Sequence, residues 1–69
     1  MKFNWVDGFR IKVRIDGGSV ILSANREGLI SLANQLSALA RERPGCHFHL
    51  DEYNSLEEDS AELIIECVE

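Results

Sequence analysis

Sixty-nine residues make one domain with a small core, because a chain of this length buries only about 60% of the surface it exposes when unfolded. A hydrophobic fraction of 45% and a net charge of −5 exclude a disordered chain, and no segment reaches the roughly 20 apolar residues that cross a bilayer. The charge is uneven: residues 1–45 carry seven basic against four acidic side chains, whereas residues 46–69 carry eight carboxylates and no Lys or Arg, which disfavours direct nucleic-acid binding.

Phe9 to Ile15 alternates apolar and basic residues and predicts a half-buried strand with Phe9, Ile11, Val13 and Ile15 inward and Arg10, Lys12 and Arg14 outward. Asp16-Gly17-Gly18 predicts a turn, and Ser19 to Ala24 the returning strand of a hairpin. Upstream, Phe3 to Val6 reads as extended, and two geometries stay open. A hairpin at Asp7-Gly8 adds a short extra strand with Phe3 and Trp5 beside Arg10 and Lys12; a bulge at Gly8 leaves Phe3 and Trp5 on the side of Phe9.

The stretch from Asn25 to Arg41 is the one segment with sustained helical periodicity. Asn25 is placed to cap it, Glu27 suits its first turn, Arg41 and Arg43 suit its end, and Pro44-Gly45 stops it. Leu29, Leu32, Ala33, Leu36, Leu39 and Ala40 recur at spacings of three and four and predict the buried face. Ser31, Asn34, Gln35, Ser37 and Ala38 then form an uncharged solvent side, either a small-polar surface or a face that meets another protomer or partner.

Cys46 to Asp51 alternates again, with Cys46, Phe48 and Leu50 inward and His47, His49 and Asp51 outward; Ala61 to Val68 returns with Leu63, Ile65 and Cys67 inward. The predicted fold is therefore α+β, a single domain over residues 1–69 with the order ββαββ. One helix packs on one face of a mainly antiparallel four-stranded sheet, with room for an extra short N-terminal strand. A fully antiparallel sheet requires the strand order 1-2-4-3 or 2-1-3-4. Its open face would carry Arg10, Lys12, Arg14, His47, His49, Glu62, Ile64 and Glu66.

Chemistry-bearing patterns are sparse. His47-x-His49-x-Asp51 places three ligand types on one strand face, but alternating polar residues on a solvent-facing strand need no metal, and no metal or other cofactor is expected. Cys46 and His47 are adjacent and so point to opposite faces, which removes the nearest nucleophile–base pair. None of the glycines forms a phosphate-cradling motif, and the carboxylate pairs lack an enclosed site, so no catalytic residues are expected. Two cysteines and an N-terminus without a signal-like apolar run fit free thiols in a cytoplasmic protein, although the last hairpin could bring Cys46 and Cys67 close enough for a disulfide. The acidic block reads either as a solvated surface or as a docking surface for a basic partner.

Two stretches carry a resemblance. Ser23-Ala24-Asn25-Arg26-Glu27-Gly28-Leu29 with the following helix, and His47 to Glu57 with Glu62-Leu63-Ile64-Ile65-Glu66, are similar to a family of small bacterial proteins classed as immunity protein 32, assigned to polymorphic toxin systems. The resemblance, which extends to the Trp5-Val6-Asp7-Gly8 start, implies a non-catalytic cytoplasmic antidote that binds and occludes a cognate protein toxin. Charge and expected exposure nominate Asp51, Glu52, Tyr53, Glu57, Glu58 and Asp59 as the contact residues, with Tyr53 as an aromatic anchor for a basic toxin. The competing reading is a structural or regulatory homodimer that pairs through the open sheet face or a sheet edge.

Overall fold

The computed structural model describes residues 1–69. Asp16 and Ser19 close a two-residue turn in which Gly17 takes a φ of 63°, a left-handed value suited to glycine. That turn sets the register of β1 (Ile11–Asp16) against β2 (Ser19–Ala24), from Ile11 opposite Ala24 to Asp16 opposite Ser19. A second antiparallel hairpin joins β3 (His47–Leu50) and β4 (Leu63–Glu66), with Phe48 opposite Ile65. Helix α1 (Arg26–Leu39) lies between the two hairpins in sequence.

The sequence predicts one continuous four-stranded sheet, but the strands do not form it: each hairpin is its own two-stranded sheet. What joins them is the irregular lead-in to β4. Glu57 N donates to Ile11 O and Ala61 N to Val13 O, both at 2.8 Å, and Val13 N donates to the Ser60 hydroxyl at 3.1 Å. These contacts set the order as β2, β1, then residues 57–61 leading into β4, then β3, which is neither of the antiparallel orders expected. The bonded residues ascend together, so the junction runs parallel. A turn at residues 57–60, in which Ser60 N donates to Glu57 O and Asp59 adopts a φ of 68°, interrupts the ladder and leaves a hydroxyl in place of a backbone acceptor.

The helix is also rotated from its predicted setting. Leu32 and Leu39 are buried as expected, but Leu29, Ala33, Leu36 and Ala40 are exposed, and Gly28, Ser31 and Gln35 face inward instead. The cause is close approach at Gly28: a Cβ there would lie 2.5 Å from Arg10 O and 3.1 Å from the Ala24 Cβ. Only a glycine lets the first turn sit against β1, and that contact fixes which line of side chains meets the sheet. Asn25 caps the helix, its Oδ1 accepting from Gly28 N at 2.8 Å and from Arg10 N at 3.0 Å.

The N-terminal segment explains how Ser31 and Gln35 are buried without cost. Residues 1–6 form no strand. They run along α1, where Asn4 N donates to Gln35 Oε1 at 2.6 Å, Gln35 Nε2 donates to Asn4 O at 3.1 Å, and Val6 N donates to the Ser31 hydroxyl at 2.8 Å. The Gln35 amide thus supplies both halves of a ladder-like pair, and every buried side-chain polar atom has a partner. Val6 to Phe9 then turns through Gly8 at φ 84°. Trp5 stacks on Phe9 with ring centroids 4.8 Å apart, and Phe3 meets both Trp5 and Phe48. Phe3 and Trp5 therefore lie on the Phe9 side, brought there by a turn rather than by a bulged strand. The core beneath consists of Ile11, Val13, Leu32, Leu39, Phe48, Leu50 and Leu56.

Candidate protein-binding surface

The acidic residues nominated from sequence sit on the connection between β3 and β4, and that connection is folded by its own side chains. Asp51 Oδ1 accepts from Tyr53 N at 2.9 Å, while Asn54 Oδ1 accepts from Asp51 N at 3.0 Å and Asn54 Nδ2 donates to His49 O at 3.1 Å. Asp51 O accepts in addition from Ser55 N and Leu56 N. Reciprocal Asx bonding of this kind replaces the strand ladder with a compact turn. Leu56, 5% exposed, pins the turn into the core, and beyond it the Glu52 carboxylate reaches across to accept from Asp59 N at 2.8 Å.

The six nominated residues therefore divide into two roles. Asp51 is half-buried and its carboxylate is engaged with the loop backbone, so it shapes the surface rather than presenting charge. Glu52, Tyr53, Glu57, Glu58 and Asp59 are exposed, Glu52 combining both roles because its carboxylate also accepts from Asp59 N, and Tyr53 projects with 90% of its surface free. None of these carboxylates forms an ion pair within the chain; the three pairs present are Met1–Glu42, Arg14–Asp16 and His49–Glu62. Phe9, Arg10 and residues Glu52–Glu57 line an open depression at the foot of the loop, and Glu52, Tyr53 and Glu58 frame a second. The surface is thus acidic and built on hydrogen bonds, with one aromatic ring standing out of it. It can steer a basic macromolecule and seat an apolar or cationic group against Tyr53.

Sequence reasoning passed over Asn54 and Leu56, which hold this loop together, and over Arg10, which brings a positive charge to its rim. The Asp51-x-x-Asn54 spacing was the available signal, since Asp and Asn bond their own backbone a few residues away. Elsewhere, His47 and His49 share the outer face of the second hairpin with their rings 5.1 Å apart, and His49 Nδ1 lies 3.1 Å from Glu62 Oε2. No group of three or more His, Cys, Asp or Glu side chains is arranged to hold a metal. Cys46 and Cys67 are half-buried free thiols at the end of the same hairpin, joined through a bond from Cys67 N to Cys46 O. No helix is long and apolar enough to cross a membrane.

A family model described as Immunity protein 32 matches residues 19–68, from β2 through the acidic loop to the end of the second hairpin. No curated protein and no solved structure matches the chain.

Proposed function

We propose that this chain, which belongs to the immunity protein 32 family, protects a bacterial cell by binding a cognate protein toxin in the cytoplasm and occluding it, without catalysis. The observation that carries this reading is the β3–β4 loop, an exposed acidic surface that is internally braced and has no cation paired to its exposed carboxylates. A braced loop loses little freedom on binding, and unpaired charge remains available to a partner. Glu52, Glu57, Glu58 and Asp59 would draw in a basic toxin, such as a nuclease whose own surface is cationic, and Tyr53 would fill a recess at the centre of the contact. Asp51 would keep its structural role behind them.

The test is protection. Cells expressing the cognate toxin domain should survive when the wild-type chain is co-expressed. Survival should fail with the double reversal Glu57→Lys and Glu58→Lys, and should weaken with Tyr53→Ala, whose loss at an interface centre costs about 2 kcal/mol, or roughly 30-fold in affinity. Killing that continues unabated beside a soluble, folded wild-type chain would refute the proposal.

A further inference from the structure

A second surface lies on the side of the molecule away from the acidic loop. Val13 is buried, but Leu22, opposite Val13, is 38% exposed, and Val20, on the same face, is 66% exposed. On α1 the flank bearing Ser31 and Asn34 is taken by the N-terminal segment, which continues toward β3 through Phe3 and Phe48. Leu29, Ala33 and Leu36 follow one another at helical spacing on the opposite flank, toward β2, and all three are exposed.

The β2 backbone is open at the same place. Because the turn closes on Asp16 and Ser19, the antiparallel alternation turns the N–H and C=O groups of Ile11 and Val13 away from β2, and those of Val20 and Leu22 away from β1. On β1 the Ile11 and Val13 carbonyls and the Val13 N–H are bonded to residues 57–61. On β2 no backbone bond of Val20 or Leu22 leaves the hairpin. A six-residue edge without proline or charge is the kind that monomeric proteins normally block.

We propose that β2 pairs antiparallel with β2 of a second copy, making a two-fold dimer whose sheet runs unbroken through the axis. With Ile21 opposite Ile21 of the second copy, Val20 and Leu22 of each chain exchange backbone bonds with Leu22 and Val20 of the other, since the free groups fall on alternate residues in both. The axis stands perpendicular to the sheet, so both helices lie on one face and their Leu29, Ala33 and Leu36 flanks border the paired Val20 and Leu22. The self-complementary register makes a second copy the occupant, and charge does not oppose it. The chain carries −5 overall, yet Ser19–Ala24 and residues 28–40 hold no charged side chain, so here a like-charged molecule approaches without repulsion. The exposed apolar side chains present on the order of 500 Å², and the strand edge brings this toward the ~800 Å² per partner of a standard interface. The acidic loops are left at the two outer ends, so the inference does not depend on the toxin reading.

The experiment is sedimentation equilibrium of the full chain from about 10 μM to 1 mM. The mass should rise from 7.8 kDa toward twice that value. Val20→Lys and Ala33→Glu, both at exposed positions, should each raise the dissociation constant at least tenfold while circular dichroism stays unchanged. Ile64→Lys, on the outer face of the second hairpin, should change it less than twofold. In a mixture of labelled and unlabelled wild-type chains, cross-copy NOEs should connect Val20 and Leu22, which needs no variant. A 7.8 kDa mass at every concentration overturns the proposal. So does a dimer that survives both Val20→Lys and Ala33→Glu, or one lost with Ile64→Lys. A chain that stays monomeric but loses toxin binding with Val20→Lys assigns this face to the toxin and likewise overturns it.

Discussion

At the scale of single residues, two positions decide the helix setting. Gly28→Ala would gain about 1 kcal/mol of helix propensity, but its Cβ would fall 2.5 Å from Arg10 O, and forcing backbone apart in a packed site costs about 1–3 kcal/mol. The clash should win, and urea denaturation should show a net loss of stability. Gln35→Leu keeps the volume but removes the acceptor of Asn4 N and one of the two donors to Asn4 O, leaving the N–H unpaired at a cost of about 1–3 kcal/mol while Asn34 still holds the carbonyl. The Asn4 and Val6 amides should exchange faster as the segment lifts, whereas Asn34→Ala, which loses one exposed bond, should barely alter them. These residues also show where sequence reading stops. Periodicity assigns Leu29 and Leu36 to the core because they are apolar, but a glycine's contact with a distant carbonyl, and an amide satisfied by a segment 31 residues away, leave no periodic trace.

At the scale of elements, Asn25 holds three of them together. Its Oδ1 caps α1 at Gly28 N and accepts from Arg10 N at the entry to β1, and its Nδ2 donates to Gly8 O in the N-terminal turn. Asn25→Ala should therefore cost about 2 kcal/mol, the upper end for a helix cap, and thermal melting should place Asn25→Asp between that variant and the wild type, because a carboxylate keeps the cap and loses only the bond to Gly8. The elements themselves were largely legible. The β2 bounds, the cap at Asn25, the order ββαββ and the inward Phe48 and Leu50 follow from alternation and turn chemistry, which are local. Sheet order was not, because it rests on Glu57 and Ala61 meeting β1 through a turn whose residue at φ 68° is Asp59, a choice no alternation rule marks. The acidic stretch could be read as charge; its bracing by Asn54 and Leu56, and the bond from Tyr53 N to the Asp51 carboxylate, required the folded loop.

At the scale of the whole molecule, the charge asymmetry of the sequence becomes a spatial one. Carboxylates gather at the β3–β4 loop, and the uncharged surface of α1 and β2 lies on the opposite side of β1. Membership of the immunity protein 32 family makes a toxin the expected partner, and the proposal places a basic toxin at this hydrogen-bonded acidic loop. The most direct measurement is the rate of association between the chain and its cognate toxin domain as ionic strength rises from about 20 mM to 500 mM, a range over which screening shortens the reach of exposed charge severalfold. The account predicts a steep fall in the on-rate for the wild type and a much flatter dependence for the Glu57→Lys, Glu58→Lys variant. Equal slopes for the two would contradict it and place the toxin contact elsewhere on the molecule.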